Sequence, residues 1–169
     1  MTTQATLGGE ISACGEALYM VLELCSRRWK LLFAAALSGR RRERSVAAGD
    51  LAGLVREIAD AKRRLGLAPE ARVVSCYEAG RDGFWLHRAL VANGVESLVV
   101  DSSSIEVPRR ARRRKSDRID LLKLMALLVR YLGGEKKVWS VVRVAEEAVE
   151  DVRQLSRSIE RLKHELGRT

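Results

Sequence analysis

Two apolar runs near the start of the chain, Leu18 to Leu24 and Trp29 to Leu37, are separated only by Cys25-Ser26-Arg27-Arg28. That pattern predicts a β-hairpin, and the alternation in Trp29-Lys30-Leu31 supports strands over helix. A turn at Ser38-Gly39 leads to a short third strand across Arg41 to Val46. The period then changes. Leu51, Leu54, Val55, Ile58 and Leu65 fall on one face at helical spacing, after Gly49-Asp50 and before Gly66. An acidic opener and a glycine stop bracket a helix there.

The alternation continues along the chain. Arg72 to Tyr77 predicts a β-branched strand, and Asp82 to Asn93 a helix that Asn93-Gly94 stops. Ser97 to Val100 predicts another short buried strand. Leu121 to Leu132 is apolar on nearly all sides and predicts a buried helix ended by Gly133-Gly134. Val138 to Val144 reads as a short apolar linker or strand. In the last segment Val152, Leu155, Ile159, Leu162 and Leu166 recur at alternating steps of three and four. This is a coiled-coil seam of about two heptads, which needs a partner helix. It has no stop signal before Thr169, so the chain is expected to end mid-helix.

The order defines an α/β class with a mixed sheet and flanking helices. A three-strand meander followed by βαβ units resembles the RNase H-like arrangement. The expected organisation is a loose tail over residues 1–17, one α/β domain over 18–143, and a C-terminal coiled-coil helix beginning at 144.

Bulk properties narrow the function classes. Lys and Arg exceed Asp and Glu by 31 to 22, and the pI near 10.0 favours a polyanionic partner. Cys14, Cys25 and Cys76 are an odd count without C-x-x-C spacing, which disfavours a disulfide framework or structural zinc. No charge-free apolar run approaches the roughly 18 residues of a membrane span. Met1 to Glu16 lacks a basic start and an apolar middle, so no signal peptide is read there. The expectation is a cytoplasmic protein with no membrane partner.

The chemistry-bearing residues are acids and arginines. Glu23 lies inside an apolar strand, where a carboxylate costs several kcal/mol unless compensated. It either faces solvent or an arginine on an edge strand, or it ligates a metal. Glu78 ends the strand Val73 to Tyr77 ahead of the loop Ala79-Gly80-Arg81-Asp82-Gly83. Ligands gather at strand carboxyl ends in α/β sheets, and the competing reading pairs Glu78 with Arg81. Asp117 and Asp120, three apart, share one helix face and are either N-terminal caps or ligands. Asp101, after Leu98-Val99-Val100, is a rival acid. Four carboxylates from three elements suit a pair of Mg²⁺ or Mn²⁺ ions that activates an attacking oxygen at a phosphodiester.

Just before the aspartates, Arg109-Arg110-Ala111-Arg112-Arg113-Arg114-Lys115 carries six cations in seven residues, and Arg118 follows. Such a run is either a solvated loop or a phosphate contact. If about five charges meet duplex phosphates, the log–log salt slope is roughly −4 to −5. Arg40-Arg41-Arg42 and Arg44 form a second cluster, which either extends this phosphate track or is an exposed turn. Trp29 and Trp85 read as core residues, and Ser102-Ser103-Ser104 as a loop.

Cys76-Tyr77-Glu78-Ala79-Gly80-Arg81-Asp82-Gly83 and Lys115-Ser116-Asp117-Arg118-Ile119-Asp120 resemble the paired signatures of the insertion-sequence-110 transposases, relatives of the pilin-inversion recombinase. The resemblance covers roughly residues 18–169. It implies a RuvC-like domain of the RNase H-like class with a DEDD acid tetrad. By motif position Glu78 resembles the tetrad glutamate, and Asp117 and Asp120 its last two aspartates. Asp101 matches no tetrad position. Glu23 stands where the first aspartate falls, one methylene longer than the family residue. The resemblance further implies Mg²⁺ or Mn²⁺, a DNA partner, a bridging guide RNA, and a second, serine-bearing domain beyond the coiled coil. It implies DNA transposition by strand cleavage and exchange. The alternatives are a non-catalytic nucleic-acid-binding module that dimerises through its C-terminal helix, and a stand-alone Holliday-junction resolvase.

Overall fold

The structure, a computed structural model, describes residues 17–35, 40–80, 84–105 and 117–144 and Lys163, with only the backbone of residues 117–120. Its frame is a five-stranded sheet in the order β3-β2-β1-β4-β5. The strands are β1 (Leu18–Leu24), β2 (Arg28–Ala35), β3 (Arg41–Ala47), β4 (Val73–Glu78) and β5 (Val95–Val100). β2 runs antiparallel to both β1 and β3, whereas β1, β4 and β5 are parallel. This mixed order is consistent with the RNase H-like arrangement. The expected strands over residues 41–46, 72–77 and 97–100 are present with small shifts of their ends. Of the two sequence readings of Arg41 to Arg44, a third strand and an exposed turn, the strand is the one observed, at the sheet edge in β3.

β1 is central, and Leu18 to Leu22 are all buried. Side chains alternate across a strand, so this one run feeds two cores. Tyr19 and Val21 enter one layer with Leu32, Ala34, Val74 and Cys76. Leu18, Met20 and Leu22 enter the other with Leu31, Phe33, Val73 and Tyr77.

The second layer is closed by α1 (Leu51–Leu65) and α2 (Trp85–Ala92). Both predicted ends of α1 hold. The Asp50 carboxylate accepts the Gly53 N–H at 2.7 Å, and Gly66 stops the helix at φ 77 in the left-handed region that glycine adopts freely. Lys62, Arg63 and Arg64 in the last turn complement the helix dipole.

The first layer is closed by α3 (Asp117–Leu132), which packs on β1, β2 and β4. Leu121, Leu124, Met125 and Leu128 form its buried stripe, together with Leu127. α3 is not buried on nearly all sides, as its composition suggests, because Ala126 and Arg130 are exposed. Gly134 ends the helical segment at φ 107.

After α3 the chain turns through a short 3-10 helix, Lys136–Val138, and changes layers. Val138 and Trp139 are buried on the α3 side, whereas Val142 and Val144 pack on the α1/α2 side. Between them the segment crosses the free edge of β5. Val141 bridges Val100, the Val142 N–H donates to the Val99 carbonyl at 2.7 Å, and the Asp101 N–H donates to the Ser140 carbonyl at 3.0 Å. The reading of residues 138–144 as a strand is thus reduced to one bridge. The coiled-coil segment after Val144 lies outside the described residues, Lys163 apart.

One surface pair ties the starts of β4 and β5. The Arg72 guanidinium donates to both Glu96 carboxylate oxygens, Nη2 to Oε2 at 2.6 Å. The hydrogen bond to Arg72 holds the Glu96 carboxyl below the usual range. A depressed acid contributes stability above its unfolded pKa and loses it as pH falls through the folded value. The advantage of the wild type over Glu96→Gln, about 1 kcal/mol or less for an exposed pair, is therefore expected to be full at neutral pH. It should shrink below the ordinary glutamate value of 4.5. Urea midpoints measured for both proteins at neutral and acidic pH check it.

Candidate metal and nucleic-acid site

The site follows from the parity of two strands. Within β1, Glu23 stands two residues after Val21 and four after Tyr19, both of which point into the α3-side layer. Within β4, Glu78 stands two after Cys76 and four after Val74, which point into the same layer. The parallel register pairs Leu22 with Tyr77, so one further step brings Glu23 level with Glu78. Neighbouring strands lie about 4.8 Å apart. The two carboxylates thus leave the carboxyl ends of adjacent parallel strands, side by side on one face of the sheet.

Their surroundings differ. Glu23 is half-buried and stands directly opposite Lys30 of β2, while Glu78 is exposed at the end of its strand. Lys30 was not singled out in the sequence. Its signal was the hairpin register, which places a cation opposite the one acid of an apolar strand. Cys76, behind Glu78 in the core, has its thiol pushed well up, first by burial and then by the Glu78 carboxylate. Fully buried, it is a core packing residue.

α3 closes this same face. Asp117 and Asp120 lie in its first turn, just ahead of Leu121, which is buried in the α3-side layer. At helical spacing, backbone positions 117 and 120 continue the stripe of Leu121, Leu124 and Leu128. The side chains of Asp117, Arg118 and Asp120 lie outside the described residues, as do Arg109, Arg110, Arg112, Arg113, Arg114, Lys115 and the loop partner Arg81. Among the described residues no three His, Cys, Asp or Glu side chains gather into a metal cluster. The described part of the donor set is therefore the Glu23–Glu78 pair, whose oxygen chemistry fits a hard divalent cation.

The rival residues receive other work. Asp101 accepts from the Ser103 N–H at 2.9 Å and the Ser103 hydroxyl at 2.8 Å. It caps a 3-10 turn over Ser102–Ser104, and the Ser103 bonds hold its carboxyl below the usual range. The Ser104 hydroxyl donates to the Asp101 carbonyl at 2.6 Å and accepts the Ser140 N–H at 2.8 Å. The serine triplet is thus a structural turn. Trp29 is buried and stacks obliquely on Trp85, ring centroids 5.7 Å apart. Trp85, read as core, is 37% exposed and forms the lid of that stack. Trp139 is buried beside Tyr131, at 5.8 Å between centroids.

The site is thus a pair of acids at the ends of two parallel strands of a mixed α/β sheet. No family model matches the chain. The chain is similar to a protein of Sinorhizobium fredii (strain NBRC 101917 / NGR234) named "Putative transposase y4rJ", with 39% identity over 153 residues. The match covers 88% of this chain and 38% of that protein, so the chain spans well under half the length of the relative. Among the described residues no helix is long and apolar enough to cross a membrane.

Proposed function

We propose that this chain is the metal-binding and nucleic-acid-binding domain of a DNA transposase of the insertion-sequence-110 type, with a RuvC-like DEDD site. Glu23, Glu78, Asp117 and Asp120 would hold Mg²⁺ or Mn²⁺. The cations from Arg109 to Lys115, with Arg118, would hold the DNA backbone beside them. The observation that carries the reading is the level placement of Glu23 and Glu78 on the face that α3 closes. The similarity to a protein named as a transposase supports it. Bound there, divalent ions would activate an attacking water or hydroxyl and stabilise the leaving oxygen of a phosphodiester. The chain's own acids fix where that phosphodiester sits, and its arginines offset the repulsion between acids and phosphate. Residues 144–169 would pair as a coiled coil in a homo-oligomer, and a guide RNA is the further partner this type implies.

The pairing of Glu23 with Lys30 favours a second reading, in which the acid is a structural partner and the domain only binds nucleic acid. Calorimetric titration with Mn²⁺ separates the two. Saturable binding in the absence of DNA is expected, together with duplex DNA binding of log–log salt slope roughly −4 to −5. DNA binding without any saturable metal binding would establish the binding module instead.

A further inference from the structure

Edge strands carry charges that discourage pairing with other chains, and β3 has more than this needs. Its pleat divides them into two sets. Arg42 and Arg44 stand opposite Phe33 and Leu31, whose side chains point into the α1/α2 layer. On that side both meet Glu57 of α1, at 3.2 and 3.3 Å. These two arginines have a structural partner, which fastens the edge strand to the helix.

The other face is different. Arg41 stands opposite Ala34, whose side chain belongs to the α3-side layer. By the same alternation Ser45, Lys30 and Arg28 lie on that face, with Lys30 opposite Ser45 and Arg28 opposite Ala47. Arg28, Arg41 and Ser45 are exposed. The side chain of neither Arg28 nor Arg41 makes an ion pair, hydrogen bond or ring contact among the described residues. Glu43 is the one carboxylate of β2 and β3 on that face. The cations continue directly into the Glu23–Glu78 pair, because Lys30 is the cross-strand neighbour of Glu23. Two adjacent carboxylates repel a phosphate, and Arg28 and Lys30, on the same face within about 10 Å of Glu23, reverse that field. Arg41, level with Tyr19 and so about 13 Å back along the strands, stands further out on the same face.

We infer that the α3-side face of the β2–β3 hairpin is a phosphate-backbone surface. Arg28, Lys30 and Arg41, with Ser45 as a neutral donor, hold a nucleic-acid strand on its way to Glu23 and Glu78. This surface is separate in sequence from the run at Arg109 to Lys115. It rests on the nucleic-acid reading given above.

The test is the salt dependence of binding to a short labelled duplex DNA, read by fluorescence anisotropy. Each lost phosphate contact lowers the magnitude of the log–log slope by about one. The double variant Arg28→Gln/Arg41→Gln is expected to flatten the slope by about two. Arg44→Gln, whose arginine is held by Glu57, is expected to leave it unchanged. Both positions of the double variant are exposed, and a thermal melt matching the wild type shows that folding is intact. If it does not fold, Arg41→Gln alone should flatten the slope by about one. A wild-type chain that does not bind DNA overturns the nucleic-acid reading, and this surface with it. A wild type that binds, with an unchanged slope in the double variant, overturns this surface alone.

Discussion

Glu78→Ala is expected to weaken Mn²⁺ binding by at least about tenfold, and by up to about a thousandfold where Glu78 contacts the ion directly. A unit charge pair at 4 Å contributes about 4 kcal/mol at an effective dielectric near 20, and each 1.4 kcal/mol is tenfold. Glu78 is exposed at the end of β4 and has Val100 as its register partner, so truncation leaves both cores intact. Glu78→Gln retains an oxygen donor without the charge and should fall between alanine and wild type. DNA binding through the arginines should persist in both variants with the wild-type salt slope. Calorimetry on the folded variants is the measurement. Mn²⁺ affinity equal to wild type in Glu78→Ala would remove Glu78 from the site.

Phe33→Ala should produce the largest loss of stability, about 3–5 kcal/mol. Phe33 is fully buried in β2, pairs with Met20 on β1 and Arg42 on β3, and fills the layer under α1 and α2. Its removal opens a cavity in the middle of the sheet, with neighbours on both sides fixed by strand pairing. Domains are stable by about 5–15 kcal/mol, so the variant should sit near its unfolding threshold. A urea midpoint shifted far down with an unchanged slope would show the effect as stability rather than altered compactness. Phe33→Leu, closer in volume, should lose much less.

Most of the frame was legible because local chemistry and packing agree. The hairpin showed in the apolar alternation around Lys30, and α1 in its Asp50 opener and Gly66 stop. Other features depended on tertiary context. The apolar composition of Leu121 to Leu132 concealed a solvent side at Ala126 and Arg130. Arg41 to Arg44 carried two readings, a third strand and an exposed turn, and pairing with β2 decides for the strand. Glu23 and Glu78 could each be picked out as acids at the ends of apolar runs. Their common level and face required the parallel register of β1 with β4, which no local pattern encodes. Lys30 was invisible as a neighbour of Glu23 for the same reason. Asp101 was ambiguous in sequence until the turn it builds with Ser103 fixed its role.

The segment from Val138 to Val144 belongs to both sides of the sheet. Trp139 is anchored beneath α3, and three residues later Val142 is hydrogen-bonded to Val99 and packed with the α1/α2 layer. The protein thus carries a clasp whose two ends are sewn into different cores. Loosening either core frees the end that tensions the other, so the layers share one cooperative unit instead of melting in turn.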